Sequence, residues 1–468
     1  MAPDGASKQP DDGTLVTRVM NVIRDRIGTR NLLAGDRLPS IRGFARQMKV
    51  SNSTVVEAYD RLVAEGVIQA RRGSGFYVAP HTAPLSIARI GPKLDRAIDP
   101  FWVSRQSLDA RPDMLKPGCG WLPADWMPET AIRRALRKLS RADDATLVDY
   151  GTPLGLASLR HFLSRRMEGY GLDAHPDHLL LTESGTQAID MLCRFLIAPG
   201  DTVLVDDPCY FNFQALLRAH RANIVGVPFT ENGPDVGAFA RIAVTTKPRL
   251  YITNSGLHNP TGASLSPMVA HQVLNIAEQH DLIIIEDDIF ADFENTPAPR
   301  LVALGGLERV IHIGSFSKTL SASVRCGYIA ASADWIDGLT DLKIATGFSG
   351  PNLSAELIFA VLKDGTYRKY METLRDRLAR TMTITETRLR NLGITPAINP
   401  DAGLFLWCRL PDHMDAATLA RNALSDGVVL APGNVFSISQ TAGNLMRFNV
   451  AQCQDERIFR VIERALEK

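Results

Sequence analysis

No stretch of this sequence stays apolar for anything near the ~20 residues that a bilayer helix requires, so no membrane partner is expected. Cysteine is scarce and scattered. The six cysteines stand at 119, 193, 209, 326, 408 and 453, and none forms a C-x-x-C pair. That spacing fits neither a zinc site nor a disulfide framework. It suits a reducing compartment, and no bound metal is expected. The first residues lack the apolar core of a signal peptide, so the expected location is the cytoplasm. Residues 1–13 are polar and rich in Pro, Gly and Asp, and are expected to form a disordered tail. Net charge is also nearly absent, at +1, but this hides an asymmetry. Residues 1–80 carry +4 and the remainder −3. A mildly basic small segment on a neutral body is compatible with nucleic-acid contact, although such a charge is also common on solvated surfaces.

Against these absences, the chain has 468 residues, 45% of them hydrophobic and 22% charged. That length suggests two or three domains. From Leu15 to Ile27 apolar residues recur at helical spacing. Gly35–Ser40 reads as a turn ending in a helix cap at Ser40, and Ser51 caps a further helix with Val55, Ala58, Tyr59 and Leu62 on one face. Residues 67–70 and 75–78 flank Arg71-Arg72-Gly73-Ser74, a two-strand hairpin with a basic tip. Three helices and a hairpin make a winged helix-turn-helix over residues 14–79. In such a unit the recognition helix enters the major groove by its N-terminal end, here Ser51, Asn52, Ser53 and Thr54. Arg37, Ser40 and Arg42 are placed to meet backbone phosphate, and Arg72 and Gly73 to approach the minor groove. A small three-helix domain with a solvated basic turn fits the same composition.

Residues 80–115 are broken by five prolines and read as a semi-extended linker. Residues 116–468 have α/β texture. Candidate strands are 178–182, 202–206, 224–228, 250–253, 282–286 and 310–313, several of them near-continuous apolar runs as buried parallel strands require. A strongly helical stretch, 351–392, leads to a smaller α+β end.

Four patches in the large domain carry candidate chemistry. Thr182-Glu183-Ser184-Gly185-Thr186-Gln187 joins a strand to a helix, where backbone N–H groups and the helix dipole suit a phosphate. Asn259-Pro260-Thr261-Gly262 follows the strand 250–253 and, taken alone, is an ordinary turn. Asp287 ends an apolar strand. A carboxylate there can hold a pyridinium nitrogen protonated, and can equally be a helix cap or a metal ligand. Lys318 lies in Ser315-Phe316-Ser317-Lys318-Thr319-Leu320, with Arg325 seven residues on. A lysine in such a turn can form an imine with an aldehyde and Arg325 can neutralise a phosphate, but most single lysines are surface residues.

Two resemblances join these observations. The runs 36–42, 50–59, 66–68 and 71–78 closely resemble GntR-family winged-helix repressors. Where that family commonly has arginine, this chain has Asn52; asparagine can pair with adenine whereas arginine prefers guanine, so the family's operator sequence does not carry over. The four patches, in order, resemble fold-type-I enzymes of the class I aminotransferase kind, which bind pyridoxal 5'-phosphate (PLP). The resemblance implies an internal Schiff base at Lys318, a pyridine-nitrogen contact at Asp287, and a ring-hydroxyl contact at Asn259. It implies ring stacking by Tyr210, and phosphate contacts by Ser184, Gly185, Thr186, Ser315 and Arg325. Arg447 matches the arginine that grips a substrate α-carboxylate. Tyr150 resembles a tyrosine that reaches the neighbouring subunit's phosphate, which implies a homodimer. Where these enzymes usually carry tyrosine three residues after the aspartate, this chain has Phe290. The implied fold is therefore an α/β fold-type-I PLP-dependent transferase domain, a mostly parallel sheet plus a smaller α+β C-terminal subdomain, behind an N-terminal winged helix-turn-helix.

Together the two resemble the MocR/GabR subfamily of GntR regulators. That implies a PLP-dependent, DNA-binding transcriptional regulator. It would sense PLP, an amino acid or an amine through an aldimine at Lys318 and bind a double-stranded operator. The alternative is an active PLP-dependent aminotransferase with an autoregulatory DNA-binding head.

Overall fold

The computed structural model describes residues 14–28, 32, 35–71, 73–79, 100–108, 111 and 113–467. The expected disordered tail, most of the expected linker, and Arg72 lie outside the described residues. The chain divides into two compact units, Met1–Ser86 and Ile87–Lys468.

The smaller unit contains α1 (Leu15–Gly28), α2 (Ile41–Met48), α3 (Asn52–Ala64) and the antiparallel pair β1 (Ile68–Arg71) and β2 (Gly75–Val78). The four-residue spacing of Val19, Ile23 and Ile27 puts them on one face of α1, where they meet Phe44, Val55, Tyr59 and Leu62 in one core. Tyr59 is fully buried. Its hydroxyl donates to the Pro39 carbonyl at 2.9 Å, and its ring meets Phe76 edge-on. Ser40 caps α2 by accepting from the Gly43 N–H, and Ser51 caps α3 by accepting from the Thr54 N–H at 3.1 Å. Between them Lys49, at φ 55°, closes α2 in the left-handed conformation and turns the chain into α3.

The larger unit opens with α4 (Pro100–Leu108). This corrects the expectation of an extended linker up to residue 115: proline is well tolerated in a first helical turn, where its missing N–H costs nothing. Eight strands then build one sheet: β3 (Leu179–Thr182), β4 (Thr202–Asp207), β5 (Asn223–Thr230), β6 (Gly233–Pro234), β7 (Leu250–Thr253), β8 (Ile283–Asp287), β9 (Val310–Ser315) and β10 (Gly327–Ala330). Their spatial order is β3-β10-β9-β8-β7-β4-β5-β6. The central strands β9, β8, β7, β4 and β5 are parallel. β10 runs antiparallel to both of its neighbours, β3 and β9. Alternate residues feed two cores, one on each face. Leu181, Leu204, Tyr251 and Ile284 lie in one, and Leu180, Val205, Ile252 and Ile285 in the other. Burial on both faces is why these strands read as continuous apolar runs.

The helices Asn352–Leu362 and Thr366–Asn391 lead to the second sheet. It consists of β11 (Thr395–Pro396), β12 (Phe405–Arg409), β13 (Ala431–Pro432) and β14 (Leu445–Asn449), all antiparallel in the order β11-β12-β14-β13. The family-based fold is thus observed, including the smaller α+β end. β10 was not foreseen. Its four residues, Gly-Tyr-Ile-Ala, are too short a run to stand out by periodicity.

β10 also sets a tight contact. A Cβ on Gly327 would lie 2.7 Å from the Ser184 carbonyl carbon and 2.9 Å from the Gly185 nitrogen. Only glycine lets this strand pass so close to the turn after β3. Gly327→Ala should therefore cost about 1–3 kcal/mol of stability, the usual penalty for overpacking. Gly347→Ala, at the end of a helix with nothing within 4 Å of the added carbon, should leave the melting temperature unchanged or slightly raised. Thermal unfolding of the two variants checks this.

Candidate cofactor site and nucleic-acid surface

The parallel strands, together with β3, end on one edge of the large sheet, and the predicted site residues sit at those ends. Ser184, Gly185 and Thr186 follow β3, Tyr210 follows β4, Asn259 follows β7, Asp287 ends β8, and Ser315 ends β9. The chain then passes Lys318 and returns through Arg325 into β10, which starts at the same edge because it is antiparallel to β9. This is where open α/β sheets collect their ligands.

A cavity of about 460 Å³ opens there. Ser184, Gly185, Thr186, Tyr210, Asp287, Ser315, Lys318 and Arg325 all line it. At one end lies the N-terminus of the helix Gly185–Leu196, capped by Ser184, whose hydroxyl accepts from the Gln187 N–H at 3.1 Å. The Ser315 and Ser317 hydroxyls stand 3.0 Å apart, and Arg325 Nη1 reaches Ser317 Oγ at 3.4 Å. Free helix N–H groups, hydroxyls and a guanidinium form an anion-binding end. Tyr210 and Ile289 contribute apolar wall.

Asp287 is buried, and burial raises its carboxyl to about 7. It accepts from the Ile289 N–H at 3.3 Å, and its carbonyl accepts from the Asn254 side chain. A desolvated carboxylate of this kind gains most from a cationic partner, and a protonated ring nitrogen is one. Lys318 is half-buried, and its Nζ donates to the Gly120 carbonyl at 2.8 Å. Burial, and then the nearby Arg447, lower its pKa to about 8.

Arg447, on β14, has almost no exposed surface. Its Nη1 donates to Asn259 Oδ1 and its Nη2 to the Gly118 carbonyl, both at 2.7 Å. The rings of Phe405 and Phe436 lie 4.3 and 4.7 Å from the guanidinium carbon. Residues 118–121 are thereby fully engaged. Gly118 accepts from Arg447, Gly120 accepts from Lys318, and Asn449 Nδ2 donates to the carbonyls of Cys119 and Trp121.

Sequence reasoning missed that four-residue loop, as well as Asn254 and Ser317. Asn254 holds Asn259 through its Oδ1, which accepts from the Asn259 N–H at 3.0 Å. The one available signal for Asn254 was its position just past the end of a buried strand. Tyr150 is not brought to this cavity in its own chain. It is 83% exposed and stacks on Phe348. Phe290 is buried and packs edge-on against Phe405.

In the smaller unit Ser51, Asn52 and Ser53 are exposed at the start of α3, with Thr54 half-buried beside them. Ser51 Oγ lies 2.7 Å from Ser53 Oγ and 2.8 Å from Thr54 Oγ1. Arg37, Ser40, Arg42 and Gly73 are exposed as well. Arg71, which the sequence did not single out, lies over the Tyr77 ring at 4.5 Å.

Fold and site together define an aminotransferase-type protein of fold type I behind a winged helix-turn-helix. Residues 123–464 match the family "Aminotransferase class I and II", and residues 15–78 match "Bacterial regulatory proteins, gntR family". The chain belongs to the GntR regulators that carry an aminotransferase-class domain, the MocR/GabR architecture. It is 30% identical over 446 residues to an uncharacterized HTH-type transcriptional regulator, YdcR of Escherichia coli strain K12, covering 93% of this chain and 94% of that one. It is 26% identical over 453 residues to another, YdfD of Bacillus subtilis strain 168, covering 93% and 92%. Among solved structures it resembles LysN, an alpha-aminoadipate aminotransferase from Thermus thermophilus complexed with N-(5'-phosphopyridoxyl)-L-leucine. The TM-score is 0.71 at 25% identity, covering 78% of this chain and 94% of that one. An archaeal alanine:glyoxylate aminotransferase gives a TM-score of 0.71 at 26% identity, covering 78% and 92%. Among the described residues no helix is long and apolar enough to cross a membrane, and no cluster of metal-ligating side chains occurs.

A pH dependence follows from Lys318. Only the neutral form of an amine attacks an aldehyde, and for Lys318 that form gains as pH passes through about 8. The rate at which added PLP acquires the visible absorbance of a lysine-bound cofactor should climb from pH 6 to 8 and level off above 9. A climb that continues to pH 10 and beyond would show an unperturbed lysine at work.

Proposed function

We propose that this chain is a PLP-dependent, DNA-binding transcriptional regulator whose large domain senses a small molecule. The observation that carries the reading is the shared cavity. An anion-binding end, a buried carboxylate and a lysine of lowered pKa line one space at the strand ends. This donor set fits a phosphorylated pyridine aldehyde. Gly185, Thr186, Ser184, Ser315 and Arg325 would hold the phosphate, Asp287 the ring nitrogen and Asn259 the ring hydroxyl. Tyr210 would stack on the ring, and Lys318 would be the covalent anchor. When bound, PLP supplies an electrophilic carbon and an electron-withdrawing ring. The protein's part is to desolvate Asp287, hold Lys318 against the Gly120 carbonyl and exclude bulk water.

The exposed hydroxyl- and amide-bearing start of α3 supports duplex DNA as the partner of the smaller unit. Ser51, Asn52, Ser53 and Thr54 would face the major groove, with Arg37, Ser40, Arg42, Arg72 and Gly73 on phosphate and the flanking groove. Tyr150, an exposed aromatic, supports a homodimer in which it completes the partner's site. The cytoplasm is the place for such a regulator.

Two measurements test the reading. PLP added to the full chain should give the visible absorbance of a lysine-bound cofactor, and Lys318→Ala should remove it. A band that persists in the variant would displace Lys318 from its role. On the DNA side, Arg42→Ala should weaken binding to any duplex and reduce the slope of log K against log salt by about 0.9, the value of one phosphate contact. An unchanged slope would take Arg42 out of the interface.

A further inference from the structure

Helix α3 begins with two side chains that its own fold leaves unused. The face it buries is Val55, Ala58, Tyr59 and Leu62. Ser51 Oγ caps the helix and also lies within hydrogen-bond reach of the Ser53 and Thr54 hydroxyls, so these three groups already have partners. The Asn52 amide makes no hydrogen bond among the described residues. Val56, one turn on, is 39% exposed. Residues four apart lie on the same side of a helix. Asn52 and Val56 are therefore neighbours on the surface, a free amide beside an isopropyl group.

Local folding gives no reason for valine at position 56. A β-branched side chain lowers helix propensity relative to alanine, and this one is not part of the core. It closes an uncharged start to the helix. Residues 52–56 carry no charge, and the first acid, Glu57, is held by Arg61 at 2.6 Å. Asp60 lies a further turn towards the C-terminus. A polyanion therefore meets helix N–H groups and neutral side chains here before it meets a free carboxylate. On the floor of the major groove adenine offers an acceptor and a donor side by side, which match the two ends of one amide. The same floor offers one methyl group, on C5 of thymine. A valine can form no hydrogen bond, so that methyl is the group from which Val56 gains most.

We propose that the start of α3 reads an adenine and a thymine close to it, with Asn52 paired to the adenine and Val56 packed on the thymine 5-methyl. The inference rests on the reading above that the smaller unit binds duplex DNA. It adds to that reading the identity of two bases and an apolar residue that selects one of them. The spacing follows from the helix. Four residues rise about 6 Å and one base-pair step about 3.4 Å, so the thymine lies within about two base pairs of the adenine, on either strand.

The test uses the full-length protein and duplexes that it selects from a random pool. Asn52→Ala locates the adenine, as the base pair at which selectivity is lost. Each thymine within about two base pairs of it is then replaced by deoxyuridine, which lacks only the 5-methyl, and binding is measured by fluorescence anisotropy. One such replacement should weaken the wild-type protein about fourfold, the value of one buried methyl-sized group. Val56→Ala should bind the thymine and deoxyuridine duplexes equally. Val63→Ala, at the other exposed valine of α3, should keep the wild-type loss. An equal loss in wild type and Val56→Ala overturns the proposal, because it reports duplex deformability rather than a side-chain contact. Complete loss of binding in Val56→Ala is too large for one methyl contact and overturns it too. The same holds if the wild type is indifferent to every replacement, if the selected duplexes have no thymine in that window, if Asn52→Ala leaves selectivity unchanged, or if Val63→Ala also loses the sensitivity. A wild type that selects no duplex at all overturns the DNA-binding reading as well.

Discussion

The large unit is organised around a cation that has no anion. A buried guanidinium without a carboxylate is costly, because neither water nor a counter-charge offsets its desolvation. Around Arg447 the chain supplies what it can: an amide oxygen, a backbone carbonyl and two aromatic faces. Burial still pulls its pKa down to about 10. These partial partners come from separate places. Asn259 follows β7, Gly118 precedes the large sheet, and Phe405 lies on β12. The arginine thus joins the second sheet to the strand ends of the first. Gly118 can play its part because a Cβ there would sit 2.5 Å from the Ala431 nitrogen, so only glycine runs this close to β13. Two residues on, the same loop offers Gly120 to Lys318. One short segment therefore holds two of the site's cations, Arg447 and Lys318.

A second buried layer supports the same edge. Asp206, at the end of β4, accepts from Tyr251 and from Thr253 Oγ1, with the His258 ring 3.3 Å away. Glu286, beside Asp287, accepts from Ser255 Oγ at 2.6 Å and from two backbone N–H groups. Asp288 is held by Arg300 at 2.7 Å. Asp206 ties to β7, Glu286 to the loop after β7 and to the start of the segment before β9, and Asp288 to Arg300 in that same segment. Buried hydrogen bonds of this kind tie down the ground on which a ligand site is built.

Much of this was legible in the sequence because each visible part has a local signature. Ser184-Gly185-Thr186 and Lys318 sit at strand–turn junctions that glycine and hydroxyl residues mark. Asp287 ends an apolar run. Ser40 and Ser51 announce the helices that follow them. What escaped was set by tertiary contact alone. Gly118–Trp121 has no periodicity, and its carbonyls matter only because Arg447, Asn449 and Lys318 arrive from up to 330 residues away. The helical fold of α4 was hidden by the prolines around it, since Pro100 reads as a breaker but begins a first turn. β10 was hidden by its shortness and by its reversed direction within a mostly parallel sheet.

Phe290 shows how a substitution beside such a site can change its character while leaving its form. Its ring lies edge-on to Phe405, 5.5 Å between centroids, and Phe405 in turn carries the Arg447 guanidinium on its face. A hydroxyl at the edge of that ring would need a partner of its own. Without one, the position props the arginine and has nothing to say to a proton. Among the described residues this leaves Lys116, Asp287, Tyr210, Lys318 and Arg325 as the ionisable side chains lining the larger cavity. A ligand that enters is held among these groups with no hydroxyl from position 290 beside them.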